Sequence, residues 1–172
     1  FDKDRSFRKK IIQKNKEKNT FFFDYGQSFF YQSMPCINLM GLRNTGKRIK
    51  TLKIEKYTNN KRILDIGTNT GAILLNIKEN YLEALGIEYN PKLIKIAEMI
   101  RDYKKKNKVK FIFSNFMNYK FGGSFDVVFS LANHSTFDKG ITNTQYYFEK
   151  IKSIISPNGV LFLEAHSPLY ES

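Results

Sequence analysis

Apolar positions in this chain come in short, nearly unbroken runs separated by stretches of helical spacing. Ile63, Leu64 and Ile66 surround Asp65 in a run that ends at Gly67, and from Gly71 onward Ala72, Ile73, Leu74 and Leu75 open a helix reaching about residue 80. Further runs occupy 82–88, ending in Glu88; 109–113, with a tip at Ser114-Asn115-Phe116; 124–134, carrying Ser130 to His134; and 160–166, ending in His166. Runs of this length predict strands. Between them, Leu93, Ile96, Ala97 and Ile100 place one apolar stripe on a helix over 91–104, and Tyr146, Tyr147, Ile151 and Ile154 another over 142–155. Asn90-Pro91 opens the first of these helices, and Pro157-Asn158-Gly159 reads as a turn. Strands alternating with helices predict an α/β fold built on a doubly wound, mostly parallel sheet.

The first 58 residues have a different texture and read as a helical and aromatic cap segment ahead of a core at 59–172. Residues 3–18 are dominated by Lys, with Phe7, Ile11 and Ile12 as a thin apolar stripe, which predicts a solvated, frayed helix or a phosphate-binding arm. Residues 20–34 are rich in aromatics without clean periodicity, and read either as an apolar cap or as a lid whose rings and Gln32 line a pocket. Asn44 or Thr45 caps a predicted helix running to about Tyr57, with Ile49, Leu52, Lys53 and Lys56 giving it two faces.

Chemistry concentrates at residues 62–75. A strand ends in the carboxylate of Asp65, passes through a turn with Gly67 and Gly71 at its ends, and enters a helix. The order acidic-x-Gly-x-x-x-Gly resembles motif I of the class I S-adenosylmethionine (SAM)-dependent methyltransferases, usually (D/E)-x-G-x-G-x-G. Here Asn69 stands at the middle glycine, and Asn tolerates the left-handed backbone that such a position needs. A nicotinamide-type G-x-G-x-x-G lacks its glycine at 69, and Asp65 would face a pyrophosphate unfavourably, whereas SAM is cationic and carries no phosphate.

The resemblance spans about residues 60–166 and implies a Rossmann-like methyltransferase fold with SAM as cofactor. It places Asp65, Gly67, Thr68, Asn69 and Gly71 around the ligand. Glu88, 23 residues after Asp65 at the tip of the next strand, is then the acceptor for the ribose hydroxyls, with Tyr89 packing on the adenine face. Asn115 would bond the adenine amino group through its side-chain oxygen, and Phe116 would offer its backbone N–H to a ring nitrogen. Ser130 lies where the fourth strand reaches the methyl-transfer centre. The sequence there, Ser130-Leu131-Ala132-Asn133, lacks the (D/N/S)-P-P-(Y/F) of DNA adenine and protein glutamine methyltransferases, which argues against those substrates. His134 and His166, the two histidines, are the candidate general bases, His134 first; each is alternatively a hydrogen-bonded structural residue. The segment Gln32 to Arg48 is similar to the region before motif I in a subgroup akin to bacterial wobble-uridine tRNA carboxymethyltransferases. In the complete fold a helix and a strand pair follow the fifth strand. Their absence here, with Phe1 at the start, leads to the expectation of a chain truncated at its C-terminus or continued elsewhere.

Composition adds less. The 172 residues suit about one domain with a real core. No apolar run of membrane-spanning length and no signal-peptide pattern occurs, which with the single Cys36 fits a reducing, cytoplasmic setting. Pro35-Cys36 lies before the cofactor strand, where RNA methyltransferases with a Pro-Cys nucleophile do not place it, so Cys36 reads as structural. A net charge of +13 points to an acidic partner such as RNA, but only six of the 29 basic residues are Arg, and Lys, Asn and Ile enrichment is also what an AT-rich genome produces. No His/Cys/acid cluster has metal spacing, so no metal is expected. The reading is therefore a SAM-dependent methyltransferase acting on a small-molecule or sugar-like acceptor, at oxygen. RNA is the alternative acceptor, and a partner-dependent or non-catalytic SAM-binding module the alternative from another class.

Overall fold

In a computed structural model, residues 2–17, 30–132 and 144–164 are described. In chain order the elements are α1 (Asp2–Lys16), α2 (Thr45–Thr51), β1 (Arg62–Ile66), α3 (Ala72–Asn76), β2 (Glu83–Glu88), α4 (Pro91–Lys104), β3 (Val109–Phe113), β4 (Phe125–Leu131), α5 (Thr144–Ile154) and β5 (Ile155–Glu164), with single 3-10 turns at Pro35–Ile37 and Ile54–Lys56. The strands form one sheet in the order β3-β2-β1-β4-β5, every neighbouring pair parallel. This is the doubly wound, Rossmann-like arrangement expected from the sequence. The chain winds outward from β1 to β3, then returns to the far side of β1 with β4. That reversal opens a crevice outside the C-terminal ends of β1 and β4, where ligands of open α/β sheets collect.

Strand alternation sorts the core onto the two faces. Ile63, Val127, Phe129 and Leu131 join a cluster with Ile73 and Leu74 of α3 and Ile96, Ala97 and Ile100 of α4. Leu64, Ile66 and Val128 point the other way, against Tyr147, Ile151 and Ile154 of α5. The first cluster also takes in Ile11, Phe30, Met34, Ile37, Leu39 and Ile54, so apolar packing runs unbroken from the N-terminal segment into the sheet.

Several local expectations change. The N-terminal helix is docked rather than solvated: Ile11 is buried and Phe7 stacks on Tyr103 of α4, ring centroids 3.9 Å apart. The helix expected to reach Tyr57 stops at Thr51, because Lys53 turns into left-handed backbone (φ 52°) and a 3-10 turn follows. The helix expected to reach residue 80 is the five-residue α3. Its last residue, Asn76, turns its amide back to the Ala72 carbonyl and accepts the Cys36 N–H. On α4 it is Ile94, not Leu93, that joins the buried face, and on α5 Tyr146 is exposed. Residues 157–159 bulge out of β5, which pairs with Phe125 through Ile155 and resumes at Val127 with Val160. No described helix is long and apolar enough to cross a membrane.

Candidate functional site

The turn between β1 and α3 is left-handed at three alternate residues: Gly67 (φ 65°), Asn69 (φ 54°) and Gly71 (φ 74°). Asn69 thus adopts the backbone for which a glycine would ordinarily be used, and its own side-chain oxygen accepts the next backbone N–H, of Thr70, at 2.8 Å. Thr68 anchors the turn from within. Its N–H donates to the Ile87 carbonyl on β2 (3.1 Å) and its hydroxyl to Asp65 Oδ2 (2.7 Å).

Asp65 lies beneath this turn and is buried. Burial pushes its pKa up to about 7, against the opposing pull of the Thr68 hydrogen bond and the Arg48 charge; the Glu88 charge adds to the rise. Glu88 closes the site from β2. Its Oε2 accepts the Asn69 N–H at 3.0 Å, and its Oε1 accepts the N–H groups of Tyr89 (2.9 Å) and Asn90 (3.1 Å). Asn90 in turn caps α4, its Oδ1 accepting from Lys92 and Leu93. Asp65, Gly67, Thr68, Asn69, Gly71 and Glu88 are therefore brought together at the tips of β1 and β2.

Tyr89 is exposed beside them and stacks on Phe113, centroids 5.7 Å apart and planes 17° apart, so a flat aromatic platform borders the β2–β3 edge. The other residues expected at the cofactor have the following surroundings. The Asn115 side-chain oxygen, expected to take an adenine amino group, accepts the Met117 and Asn118 N–H groups (2.7 and 3.3 Å) in a turn of its own. The Phe116 ring is fully buried against Phe121 and Tyr147, which leaves the expectation about its backbone N–H untouched. The Ser130 side chain is on the α5 face of the sheet, two residues along from Val128. It is fully buried, its hydroxyl 2.7 Å from that of Tyr147. Burial pushes the Tyr147 phenol well above its usual range, so it stays neutral there. His134 and His166 lie outside the described residues, as do most of the aromatic stretch 20–34 and Asn133.

Cys36 is half-buried, and burial raises its thiol pKa, the opposite of an activated nucleophile. Among the described residues no group of three or more His, Cys, Asp or Glu side chains is placed to hold a metal ion.

The sequence reading missed an ionic cluster at the same edge. Glu164, the last residue of β5, binds Arg48 through both carboxylate oxygens (Nε–Oε2 3.0 Å, Nη2–Oε1 2.6 Å) and Arg43 through Nη1–Oε1 at 2.5 Å. Burial works against the Glu164 carboxylate, but the two guanidinium groups outweigh it and hold its pKa below the usual range. The only advance signal was that two of the chain's six arginines sit together at 43 and 48.

A family model described as "Methyltransferase domain" matches residues 57–171. By fold, the chain is similar to the YcgJ protein from Bacillus subtilis (TM-score 0.57, 19% identity, covering 68% of this chain and 47% of that one). It is similar also to a SAM-dependent methyltransferase from Thiobacillus denitrificans in complex with S-adenosyl-L-homocysteine (0.56, 17%, 70% and 49%). A third is the N-methyltransferase NodS from Bradyrhizobium japonicum, also in complex with S-adenosyl-L-homocysteine (0.57, 14%, 67% and 58%). The chain spans about half the length of these structures. A comparison with curated proteins gives no match.

Proposed function

We propose, from the premise that this chain belongs to the methyltransferase-domain family, that it binds SAM in the β1–α3 turn and transfers its methyl group to a small-molecule or sugar-like oxygen acceptor. The observation that carries the reading is the joint geometry of the left-handed 67–69–71 turn and the Glu88 carboxylate hydrogen-bonded to it. The residues present fit this cofactor. The Thr70 hydroxyl, buried in the turn, has no hydrogen-bond partner among the described residues, so it is available to a ligand. The turn has no glycine at 69 for the close approach of a pyrophosphate.

Bound SAM supplies a methyl group already activated on a sulfonium. What the chain must contribute is placement. Glu88, oriented by the N–H groups of Asn69, Tyr89 and Asn90, would accept the ribose hydroxyl hydrogens; Tyr89 and Phe113 would border the adenine. Asp65 would face the cationic end of the ligand. An oxygen acceptor loses a proton on methylation, and His134, then His166, are the groups proposed to receive it.

RNA is the second reading, favoured by the net charge of +13. Incubating the protein with methyl-labelled SAM and separated cell fractions distinguishes the two. Label in the low-molecular-weight fraction supports the proposal, and label in tRNA supports the second reading. Label in neither, with SAM bound, contradicts both in favour of a domain that needs a partner.

A further inference from the structure

Positive charge is not spread evenly over the two faces of the sheet. α1 with Glu17 holds seven basic and three acidic residues, and α4 with its exit to Lys108 holds seven and two. On the opposite face α5 holds Lys150 and Lys152 against Glu149. A composition rich in Lys for genomic reasons would charge both faces alike. Four of the five acids on α1 and α4 are engaged locally. Asp4 accepts the Tyr103 hydroxyl, Glu17 pairs with Lys14 at 2.5 Å, Glu98 with Lys95 at 3.9 Å and Asp102 with Arg101 at 2.8 Å. The fifth, Asp2, opens α1. Lys92, Lys106 and Lys108 are tied to backbone carbonyls. The side chains of Lys3, Arg5, Lys9, Lys10 and Lys16 are exposed, with no ion pair or hydrogen bond among the described residues. The same holds for Lys104 and Lys105 at the end of α4.

Helical spacing sets part of this charge in an outward row. Phe7, Ile11 and Asn15, four residues apart, face α4: Ile11 and Asn15 are buried and Phe7 stacks on Tyr103. Arg5, Lys9 and Lys16 fall on the far side of the helix, with Ser6 and Gln13 among them. At 1.5 Å per residue the row is about 16–17 Å long. Its direction follows from α4, which runs antiparallel to α1. Tyr103, just before Lys104 and Lys105, meets Asp4 at the start of α1, and Lys92 donates to the carbonyls of Asn15 and Glu17 at its end. Lys92 lies in the first turn of α4, capped by Asn90 beside Glu88. The row therefore leads from the N-terminal edge of the sheet to the edge that carries the candidate cofactor site.

We propose that the outer face of α1 is a docking surface for an RNA strand, its phosphates paired with Arg5, Lys9 and Lys16 and, at the far end, with Lys104 and Lys105. A row of cations without local counter-charges complements a chain of phosphates, and pairing them releases the counterions that the phosphates hold. Because α1 is already docked on α4, binding does not have to order it. A membrane surface fits less well: interfacial helices bury apolar side chains in the bilayer, and those of α1 are packed inward. DNA fits less well too, since the β4 tip lacks the motif of DNA adenine methyltransferases. The surface lies outside the 57–171 family match, and it concerns binding alone, so it stands under either reading of the acceptor.

Fluorescence anisotropy of the full chain with a labelled single-stranded RNA of mixed sequence, at several salt concentrations, tests this. The wild type is expected to bind with a slope of log affinity against log salt of about −2 to −3.5, for three to five phosphate contacts. Arg5→Glu/Lys9→Glu is expected to bind about tenfold or more weakly, with a slope shallower by about 1 to 1.5. Lys120→Glu/Lys152→Glu makes the same change in net charge on the α5 face and is expected to lose less than about threefold. All four side chains are exposed, so both pairs are expected to fold. An equal loss in the two pairs assigns binding to net charge alone and overturns the proposal, as does a wild type that binds no RNA. Binding to vesicles of phosphatidylserine and phosphatidylcholine that Arg5→Glu/Lys9→Glu abolishes, with RNA binding untouched, overturns it in favour of a membrane surface. Titration of the same proteins with S-adenosylhomocysteine reads the cofactor site separately, so the failure of one reading is not taken for the failure of the other.

Discussion

The Glu88 carboxylate accepts the backbone N–H of Asn69 at 3.0 Å, tying the tip of β2 to the left-handed centre of the β1–α3 turn. Two residues 19 apart in sequence thereby become one structural unit. The acid proposed to hold ribose is set in place by the turn proposed to hold the rest of the ligand.

The backbone at Asn69 makes a stability prediction. With φ at 54°, Asn69→Gly relieves the left-handed strain and loses only the Thr70 contact, so stability changes by less than about 0.5 kcal/mol. Asn69→Val forces a β-branched residue into the same region and costs about 2 kcal/mol. Urea unfolding of the two variants checks this; equal costs would mean that the backbone at 69 is not left-handed in solution.

Phe111 is wedged against two glycines. A Cβ at Gly86 would lie 2.7 Å from its Cδ1, and one at Gly71 2.4 Å from its Cζ. Gly86→Ala, in a strand with ordinary backbone, is therefore expected to destabilise by about 1–3 kcal/mol through overpacking. Adding Phe111→Leu should recover part of that loss, which a double-mutant cycle of melting curves would register as coupling. Strict additivity would contradict the contact.

Asp65 gives stability a pH dependence whose sign is fixed. Burial raises its native pKa to about 7, above the ordinary carboxylate value of 3.8, so the native state holds a proton that the unfolded chain releases. Its contribution is fully present below about pH 4 and is lost as pH rises toward 7, at a slope of roughly 1 kcal/mol per pH unit. Asp65→Asn should flatten this decline in urea titrations between pH 4.5 and 7. A variant with the wild-type slope would assign the effect to another group.

The Ser130–Tyr147 pair predicts non-additive losses. Tyr147→Phe removes this hydrogen bond from the buried Ser130 hydroxyl and should cost about 0.5–1.5 kcal/mol, and a smaller amount in a Ser130→Ala background. Chemical denaturation of the single and double variants is the check.

How much was legible in the sequence depends on whether a position is governed by local rules. Asp65, Asn69 and Glu88 could be read because strand tips, turn backbone and the spacing between parallel strands are set by short segments. The side of the sheet on which Ser130 ends up follows from strand parity once Val128 is placed against α5, but its partner Tyr147 belongs to a different element. The Arg43–Arg48–Glu164 cluster joins residues 116 and 121 positions apart, a relationship that no local pattern carries. The length of α3 was misjudged because its periodicity continues past Asn76, whose side chain instead turns back to the Ala72 carbonyl. His134 and His166 lie outside the described residues, so their proposed role rests on the resemblance and on sequence position alone.

The central claim is that Glu88 and the 67–71 turn bind an adenosyl-sulfur ligand. Calorimetric titration with SAM, S-adenosylhomocysteine and NAD, repeated on Glu88→Ala, tests it most directly. The account predicts binding of the first two by the wild type, no binding of NAD, and a loss of about tenfold or more in Glu88→Ala, in line with deleting a charged hydrogen-bond acceptor. Binding of NAD alone, or S-adenosylhomocysteine affinity indifferent to Glu88, would contradict it.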